Sequence, residues 1–397
     1  MNQCQRHQVA ERAGVELDFV SRLVELGILS PDDRDRFTPA DVRRVTIVQT
    51  LQRAGVPLEG IGRAVRSGRL SLAFVDTTTY DRLASLSDVS FAELSEQTGV
   101  PTELLMVIRE AVGSAQPRPS DRVRDDELQI VPLIQLQLAS GVRPLVIERM
   151  LRVYGDSLRR IAETEADWWH AEVMPRLGAG MGPAAMMQAA NQLSPRLARL
   201  GDQAVLAIYH AQQAHTWTTS IIEGIESALE AAGLHSRLER LPAVCFLDLS
   251  GYTRLTEERG DQAAAELAYR LARTVQRIAV RHGCQPVKWL GDGVMFHFPE
   301  PAPGVLAALE MVQEAADLGL PPAHVGLHAG PVLFQDGDYF GRTVNLAARI
   351  AQYAGPGQVL VSQTVVDASR GSGIRFIDIG PVELKGVSQA TRLSAAH

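Results

Sequence analysis

Two aspartates sit where strands end, and that placement can hold divalent cations. Asp248 closes the apolar run Ala243-Val244-Cys245-Phe246-Leu247 and is followed by Leu249-Ser250-Gly251-Tyr252-Thr253, a glycine turn into a helix. Asp292 lies in Gly291-Asp292-Gly293, between Pro286–Leu290 and Val294–Phe298, a hairpin signal in which Asp-Gly suits the tight turn. Taken singly, Asp248 also reads as a helix cap and Asp292 as a turn former. Together, on neighbouring strands, they suit two metal ions of the kind used in phosphoryl and nucleotidyl transfer.

Four further side chains add to this chemistry. Asn345 and Arg349, four apart on an expected helix, project from one face, an amide to orient a hydroxyl and a guanidinium to meet charge on phosphorus. The chain has 39 Lys and Arg residues but only two lysines, Lys288 and Lys385. Lysine is a compact, rotatable donor that arginine does not replace where one ligand atom must be met. Both lysines sit in readable motifs, Val287-Lys288-Trp289-Leu290-Gly291-Asp292-Gly293 and Val382-Glu383-Leu384-Lys385-Gly386.

The elements that must position these residues change character along the chain. Residues 1 to about 235 carry apolar residues at three- and four-residue spacing and read as mostly helical. After Leu241-Pro242, short Val/Ile/Phe-rich runs alternate with longer helical segments, the pattern of an α/β or α+β domain. The helical half repeats itself: Ala13-Gly14-Val15 with Phe19 and Leu23 returns as Thr98-Gly99-Val100 with Leu104 and Ile108, and Gly55-Val56 with Ile61 returns as Gly141-Val142 with Ile147. Two copies of one small helical unit follow. Val205 to about Leu234 reads as a long helix with Ile208, Ile221, Ile222, Ile225 and Leu229 on its apolar side, a coupling or dimer stalk in which His210 and His215 read as surface or interface residues. Gly178-Ala179-Gly180-Met181-Gly182-Pro183 is a break between helices; it lacks the strand and the final glycine of a dinucleotide site.

Composition narrows the class. A formal charge of −7 and a pI near 5.8 argue against a generic nucleic-acid coat or a polybasic membrane anchor. No apolar run approaches a membrane span and the N-terminus lacks a signal-peptide core, so no membrane insertion and a cytoplasmic location are expected. Cys4, Cys245 and Cys284 are too few and scattered for a disulfide framework or zinc cage, and Cys245 reads as core.

Two resemblances rest on these motifs. His7-Gln8-Val9-Ala10-Glu11-Arg12-Ala13-Gly14-Val15, the segment Val20–Leu29 and Arg36-Phe37-Thr38-Pro39-Ala40-Asp41-Val42 resemble the helix-turn-helix and wing of the MerR family, in which the unit binds DNA. Asp32, Asp33 and Asp35 against Arg34 and Arg36 are a poor composition for approaching phosphates, so DNA is a secondary expectation and a regulatory or dimerising role the primary one. The second copy resembles the helical regulatory region of acid-responsive mycobacterial adenylyl cyclases.

Residues 242–392 resemble the class III nucleotidyl cyclases in the order Phe-Leu-Asp-Leu-Ser-Gly-Tyr-Thr, Lys-Trp-Leu-Gly-Asp-Gly, His-Val-Gly-Leu-His-Ala-Gly-Pro-Val, Asp-Tyr-Phe-Gly-Arg-Thr-Val-Asn-Leu-Ala-Ala-Arg and Leu-Lys-Gly. Trp289 and Tyr252 depart mildly from that pattern. The resemblance implies an α+β fold overall, with a ferredoxin-like catalytic domain behind the helical half. The expected domains are 1–75, a MerR-like unit; 90–200, a second helical regulatory unit; 201–240, a helical stalk; and 241–397, the cyclase domain. It implies that Asp248 and Asp292 bind two Mg²⁺ or Mn²⁺ ions, one activating the ribose 3′-hydroxyl and the other neutralising the triphosphate. Asn345 then places the ribose, Arg349 stabilises transition-state charge, Lys385 grips phosphates, and Lys288 with Asp338 reads the base.

A lysine donor and a carboxylate acceptor match adenine's N1 and 6-amino group and mismatch guanine's N1–H and O6. ATP is therefore the expected substrate and 3′,5′-cyclic AMP the expected product. Lys288 and Asp292 stand about 13 Å apart along an extended strand and should not serve one nucleotide. In the family the metal carboxylates and the base-reading lysine come from different subunits, which implies a head-to-tail homodimer. A guanylate cyclase and a MerR-like DNA regulator carrying a cyclase-fold module are the alternatives; the Gly-Gly-Asp/Glu-Glu-Phe signature of a diguanylate cyclase is absent.

Overall fold

The computed structural model describes residues 4–76, 86–234, 241–284 and 286–397. Residues 1–3 of the expected first unit and 235–240 of the expected stalk lie outside the described residues. The chain divides into two compact units, Met1–Glu223 and Gly224–His397.

The first unit carries the sequence repeat as a repeated order of elements. Strand Cys4–Gln5, helices Arg6–Ala13 and Leu17–Glu25, strand Arg36–Phe37 and helices Pro39–Arg53 and Leu58–Arg66 form the first copy. Strand Leu86–Ser90, helices Phe91–Thr98 and Thr102–Ala111, strand Arg122–Arg124 and the helices from Asp125 to Trp168 follow in the same order. The two strands of each copy pair with each other. Gly14 and Gly99 both end the first helix in the left-handed region, at φ 65° and 71°, which glycine enters without a Cβ penalty. Each copy buries its own core, around Val9, Leu23 and Val45 in one and Phe91, Leu105 and Ile147 in the other.

The long helix begins at Pro183 rather than Val205 and runs to Ala231, with Pro195 inside it. Ile208, Ile221, Ile222, Ile225 and Leu229 are all exposed on it.

The second unit is a seven-stranded mixed sheet with a separate strand pair. Its strands are β1 (Ala243–Leu249), β2 (Pro286–Leu290), β3 (Gly293–Phe298), β4 (Ala323–Ala329), β5 (Leu333–Gln335), β6 (Asp338–Phe340), β7 (Val359–Ser362), β8 (Phe376–Val382) and β9 (Thr391–Ala396). The sheet order is β8-β9-β7-β4-β1-β3-β2, and β5 pairs only with β6. Among the described residues, only the β7–β4 pairing is parallel.

Alternation divides the faces of this sheet. Cys245, Leu247, Val294, Phe296, Val325 and Leu327 enter the main core, beneath the helices Asp261–Arg281 and Pro301–Asp317. The register pairs Val244 with His297 and His328, Phe246 with Met295 and Gly326, Asp248 with His324, and Lys288 with Met295. Directly opposed residues share a face, so Asp248, Lys288, His297, His324 and His328 all lie on the other side. That side meets the Arg342–Tyr353 helix, with Val244, Met295, Val344 and Ala347 in one small apolar cluster.

The helix is seated by Gly326. A Cβ there would stand 2.0 Å from the backbone nitrogen of Ala351 and 2.6 Å from its Cα. Neither atom can swing aside as a side-chain end would. Gly326→Ala should therefore destabilise the second unit by about 3 kcal/mol or more, read as a lowered midpoint of its denaturant transition.

Candidate active site

Asp248 is the last inward residue of β1 on the polar face. The helix that follows, Tyr252–Arg259, begins at Gly251 (φ 79°) and takes no side-chain cap. The capping role left open by the sequence is not the one found: Asp248 Oδ1 accepts from the Leu249 N–H at 3.1 Å, and Oδ2 faces His324 Nε2 at 4.0 Å. Ser250 Oγ lies 3.0 Å from His324 Nδ1, so the imidazole is held from its far side. His324 and Ser250 were not singled out from the sequence; the alternation His324-Val325-Gly326-Leu327-His328 was the signal that both histidines share Asp248's face.

The turn bearing Asp292 differs from the expected Asp-Gly turn. Leu290 pairs with Gly293, so the two loop residues are Gly291 and Asp292, and the positive φ falls on Gly291 at 72°. A glycine at the first loop position suits a II′ turn. Gly293 then opens β3 against the first carboxylate: a Cβ there would meet Leu247 O at 3.2 Å and Asp248 Oδ1 at 3.3 Å. Desolvation raises the Asp248 pKa above its ordinary value, repulsion by Asp292 adds to the rise, and His324 opposes it.

These residues fit a hard divalent cation. The donors are carboxylate oxygens, two carboxylates repel each other with no cation between them, and residue 293 leaves the space beside Asp248 clear. No group of three or more His, Cys, Asp or Glu side chains suited to one ion exists among the described residues. Remaining ligands would come from main-chain carbonyls, water or a bound phosphate, all of them hard oxygen donors.

Lys288 and Asp338 meet as an ion pair, Nζ donating to Oδ2. Asp338 Oδ1 also accepts from the Tyr339 N–H at 2.8 Å. Tyr339 lies flat on His297, with ring centroids 4.1 Å apart and planes 8° from parallel. Burial lowers the pKa of His297 and that of His328, whose Nδ1 is 2.7 Å from Ser362 Oγ.

Asn345 and Arg349 lie on one helix, as their spacing requires, and border a cavity of about 500 Å³ with Arg342, Gln352, Gly386 and Ser388. Arg349 donates to Gln352 Oε1 at 2.7 Å. Lys385 is exposed beside this cavity, on a loop pinned by buried Leu384. The seven expected site residues thus form three groups: Asp248 with Asp292, Lys288 with Asp338, and Asn345 with Arg349 next to Lys385. The cavity's lining includes none of the first four. Cys245 and Cys284 are buried in the core, the Cys284 thiol pushed up to about 12, and neither joins the site.

The chain thus joins a helical half to a mixed sheet with aspartates at the end of β1 and at the β2–β3 turn, and comparison with known proteins gives its class. Residues 239–394 match the adenylate and guanylate cyclase catalytic domain, and residues 5–67 match the MerR HTH family regulatory proteins. Over 322 residues the chain is 30% identical to the pH-sensitive adenylate cyclase MT1302 of Mycobacterium tuberculosis, covering 77% of each. It is 31% identical over 148 residues to an adenylate cyclase of Streptomyces griseus, covering 37% of each. The adenylyl cyclase CyaB from P. aeruginosa, a solved structure, aligns at 24% identity with a TM-score of 0.36, covering 39% of this chain and 93% of that one. The chain belongs to the class III adenylate and guanylate cyclase family. Among the described residues, no helix is long and apolar enough to cross a membrane.

The raised Asp248 pKa has a consequence for stability. Folding makes the proton on this carboxyl harder to remove, so the group weakens the fold as pH rises through and above the carboxylate range. Below its unfolded pKa, near 3.9, the effect is absent. Asp248→Asn should raise the metal-free unfolding temperature at pH 7 and leave it unchanged near pH 3.5, while weakening Mn²⁺ binding; calorimetry in chelator and a Mn²⁺ titration check both.

Proposed function

We infer that the chain converts ATP to 3′,5′-cyclic AMP and pyrophosphate at sites completed by a second copy of itself. The Lys288–Asp338 ion pair carries the adenylate reading. A donor and an acceptor held at one place suit an edge with one acceptor and one donor, which adenine presents at N1 and its 6-amino group. Guanine would leave both partners mismatched, and unpaired polar groups in a closed site are costly.

Asp248 and Asp292 are proposed to hold two divalent ions. Such ions, when bound, lower the pKa of an attacking hydroxyl and neutralise a triphosphate. Asn345 orients the ribose so that its 3′-oxygen faces the α-phosphorus, where the new P–O bond forms as the α–β bridge breaks and the hydroxyl proton passes to solvent. Arg349 meets charge developing on the phosphoryl oxygens, and Lys385 holds the phosphates from its pinned loop. The separation of the Asn345–Arg349 cavity from the carboxylates supports a site shared head-to-tail between two copies. So do the exposed Trp289 and Leu290 at the β2–β3 tip and Leu333, Phe334 and Phe340 on the β5–β6 pair.

The helical half is proposed to regulate rather than to bind DNA. In the observed second helix of that unit, Leu17–Glu25, Arg22 is bonded to Glu25 and Glu59 at 2.9 and 3.0 Å. Nearby, Arg36 is paired with Asp32 and Arg6 with Asp35. Phosphate contacts need cations that are not already neutralised. The pH-sensitive relative makes protons the first input to test, by comparing the full chain with one beginning at Gly224 between about pH 5.5 and 8.

The deciding assay is cyclic nucleotide formation by the full chain with Mn²⁺ and ATP or GTP. Asp248→Ala and Asp292→Ala should each lower turnover by about a thousandfold, and Lys288→Glu should erase the preference for ATP. Preference for GTP in the unaltered chain would overturn the adenylate reading. Mixing Asp248→Ala with Lys288→Ala chains should restore roughly a quarter of wild-type turnover, since half the dimers pair unlike chains and each such dimer has one intact site. No restoration would remove the shared site alone.

A further inference from the structure

Asp338, the acceptor of the proposed base-reading pair, stands on a strand pair that is not hydrogen-bonded into the main sheet. β5 and β6 pair only with each other, around an Asp336-Gly337 turn with φ of 55° and 78°. Their apolar side chains are largely turned outward, with Leu333 58% exposed and Phe334 61%. The inward anchor is Tyr339. Its ring lies flat on His297 and meets Phe334 at 5.0 Å, while its N–H holds Asp338 Oδ1. His297 belongs to β3, two residues along the same face from Met295, the register partner of Lys288. One strand therefore fixes both halves of the pair, Lys288 through the ladder and Asp338 through a ring stack.

The geometry points to His297 as a positioning residue for base selection, its ring a shelf that sets, through Tyr339, how Asp338 stands relative to Lys288. This rests on the proposed reading of Lys288 and Asp338. Discrimination between purine edges depends on holding a donor and an acceptor at fixed spacing, because a pair free to shift relieves the mismatch with the wrong base. An aliphatic side chain at 297 would still fill the space but would give Tyr339 no flat partner. The β5–β6 pair could then tilt, since no main-sheet hydrogen bond opposes it.

The test uses the full chain with Mn²⁺, ATP and GTP, comparing His297→Leu, His297→Phe, Tyr339→Leu and Asp338→Ala. His297→Leu should raise the KM for ATP and lower the ATP-over-GTP ratio of kcat/KM by about threefold to tenfold, the factor expected for one lost aromatic pair. Its kcat should stay within about twofold. His297→Phe restores a stacking ring and should return both values to within about twofold of wild type. Tyr339→Leu removes the same stack from the other side and carries the test if His297→Leu does not fold. Wild-type KM and ratio in His297→Leu or Tyr339→Leu, with the ratio lost in Asp338→Ala, would overturn the inference alone. Equal losses of kcat and KM selectivity in His297→Leu and His297→Phe would also overturn it, by showing a merely structural role. An unchanged ratio in Asp338→Ala would overturn the base-reading assignment, and the inference with it.

Discussion

The Arg342–Tyr353 helix reaches the sheet only because residue 326 has no side chain. Its backbone at Ala351 occupies the space a Cβ would need, so strand β4 and the helix meet main chain to main chain. That approach closes one face of the sheet over Val244 and Met295, and fixes the height at which Asn345 and Arg349 stand. The opposite face is an ordinary apolar core. Along β1 to β4 a sheet so divided keeps its carboxylate, ammonium and imidazole side chains on one side, none of them fully buried. Asp248 stays half-exposed, and its raised pKa reflects a compromise: enough burial to strengthen electrostatics, enough access for ions and solvent.

Much of this was legible in the residues. The β2–β3 hairpin was readable because apolar runs flank a Gly-Asp-Gly turn, and β1 because a continuous apolar run ends in aspartate. The helix carrying Asn345 and Arg349 followed from four-residue spacing. The repeat of the helical half was readable because Gly14 and Gly99, and again Gly55 and Gly141, each take positive φ at matching places. Glycine marks such positions in sequence because other residues enter that region at a cost.

What was not legible depended on partners far apart in the chain. Whether Asp248 caps a helix or faces another carboxylate is decided by where Asp292 and His324 arrive, and nothing local to residue 248 says so. His297 and Tyr339 are 42 positions apart, and although Tyr339 lies within the Asp-Tyr-Phe-Gly motif nothing in it points to His297; their stack exists only once β6 folds back over β3. The long helix was placed too late because its apolar positions mark only the part from Val205 onward, whereas the helix runs from Pro183 with Pro195 inside it. The turn was assigned one residue too far along because Gly291 and Gly293 both flank Asp292, and only the ladder shows which one bends the chain.

The two-residue loop at Gly291-Asp292 does more than reverse the strand. Because Leu290 opposes Gly293, counting back two positions puts Lys288 opposite Met295, and the bulge at Val287 ends that count just above it. Side-chain direction in a ladder has parity. With the loop held at two residues, a single residue inserted between Lys288 and the turn would exchange the faces of Lys288 and Trp289, whereas two inserted residues would restore them. So long as the loop stays at two residues, this strand should accept changes of length only in even steps, so that inheritance here is constrained by arithmetic as well as by the identity of the amino acids.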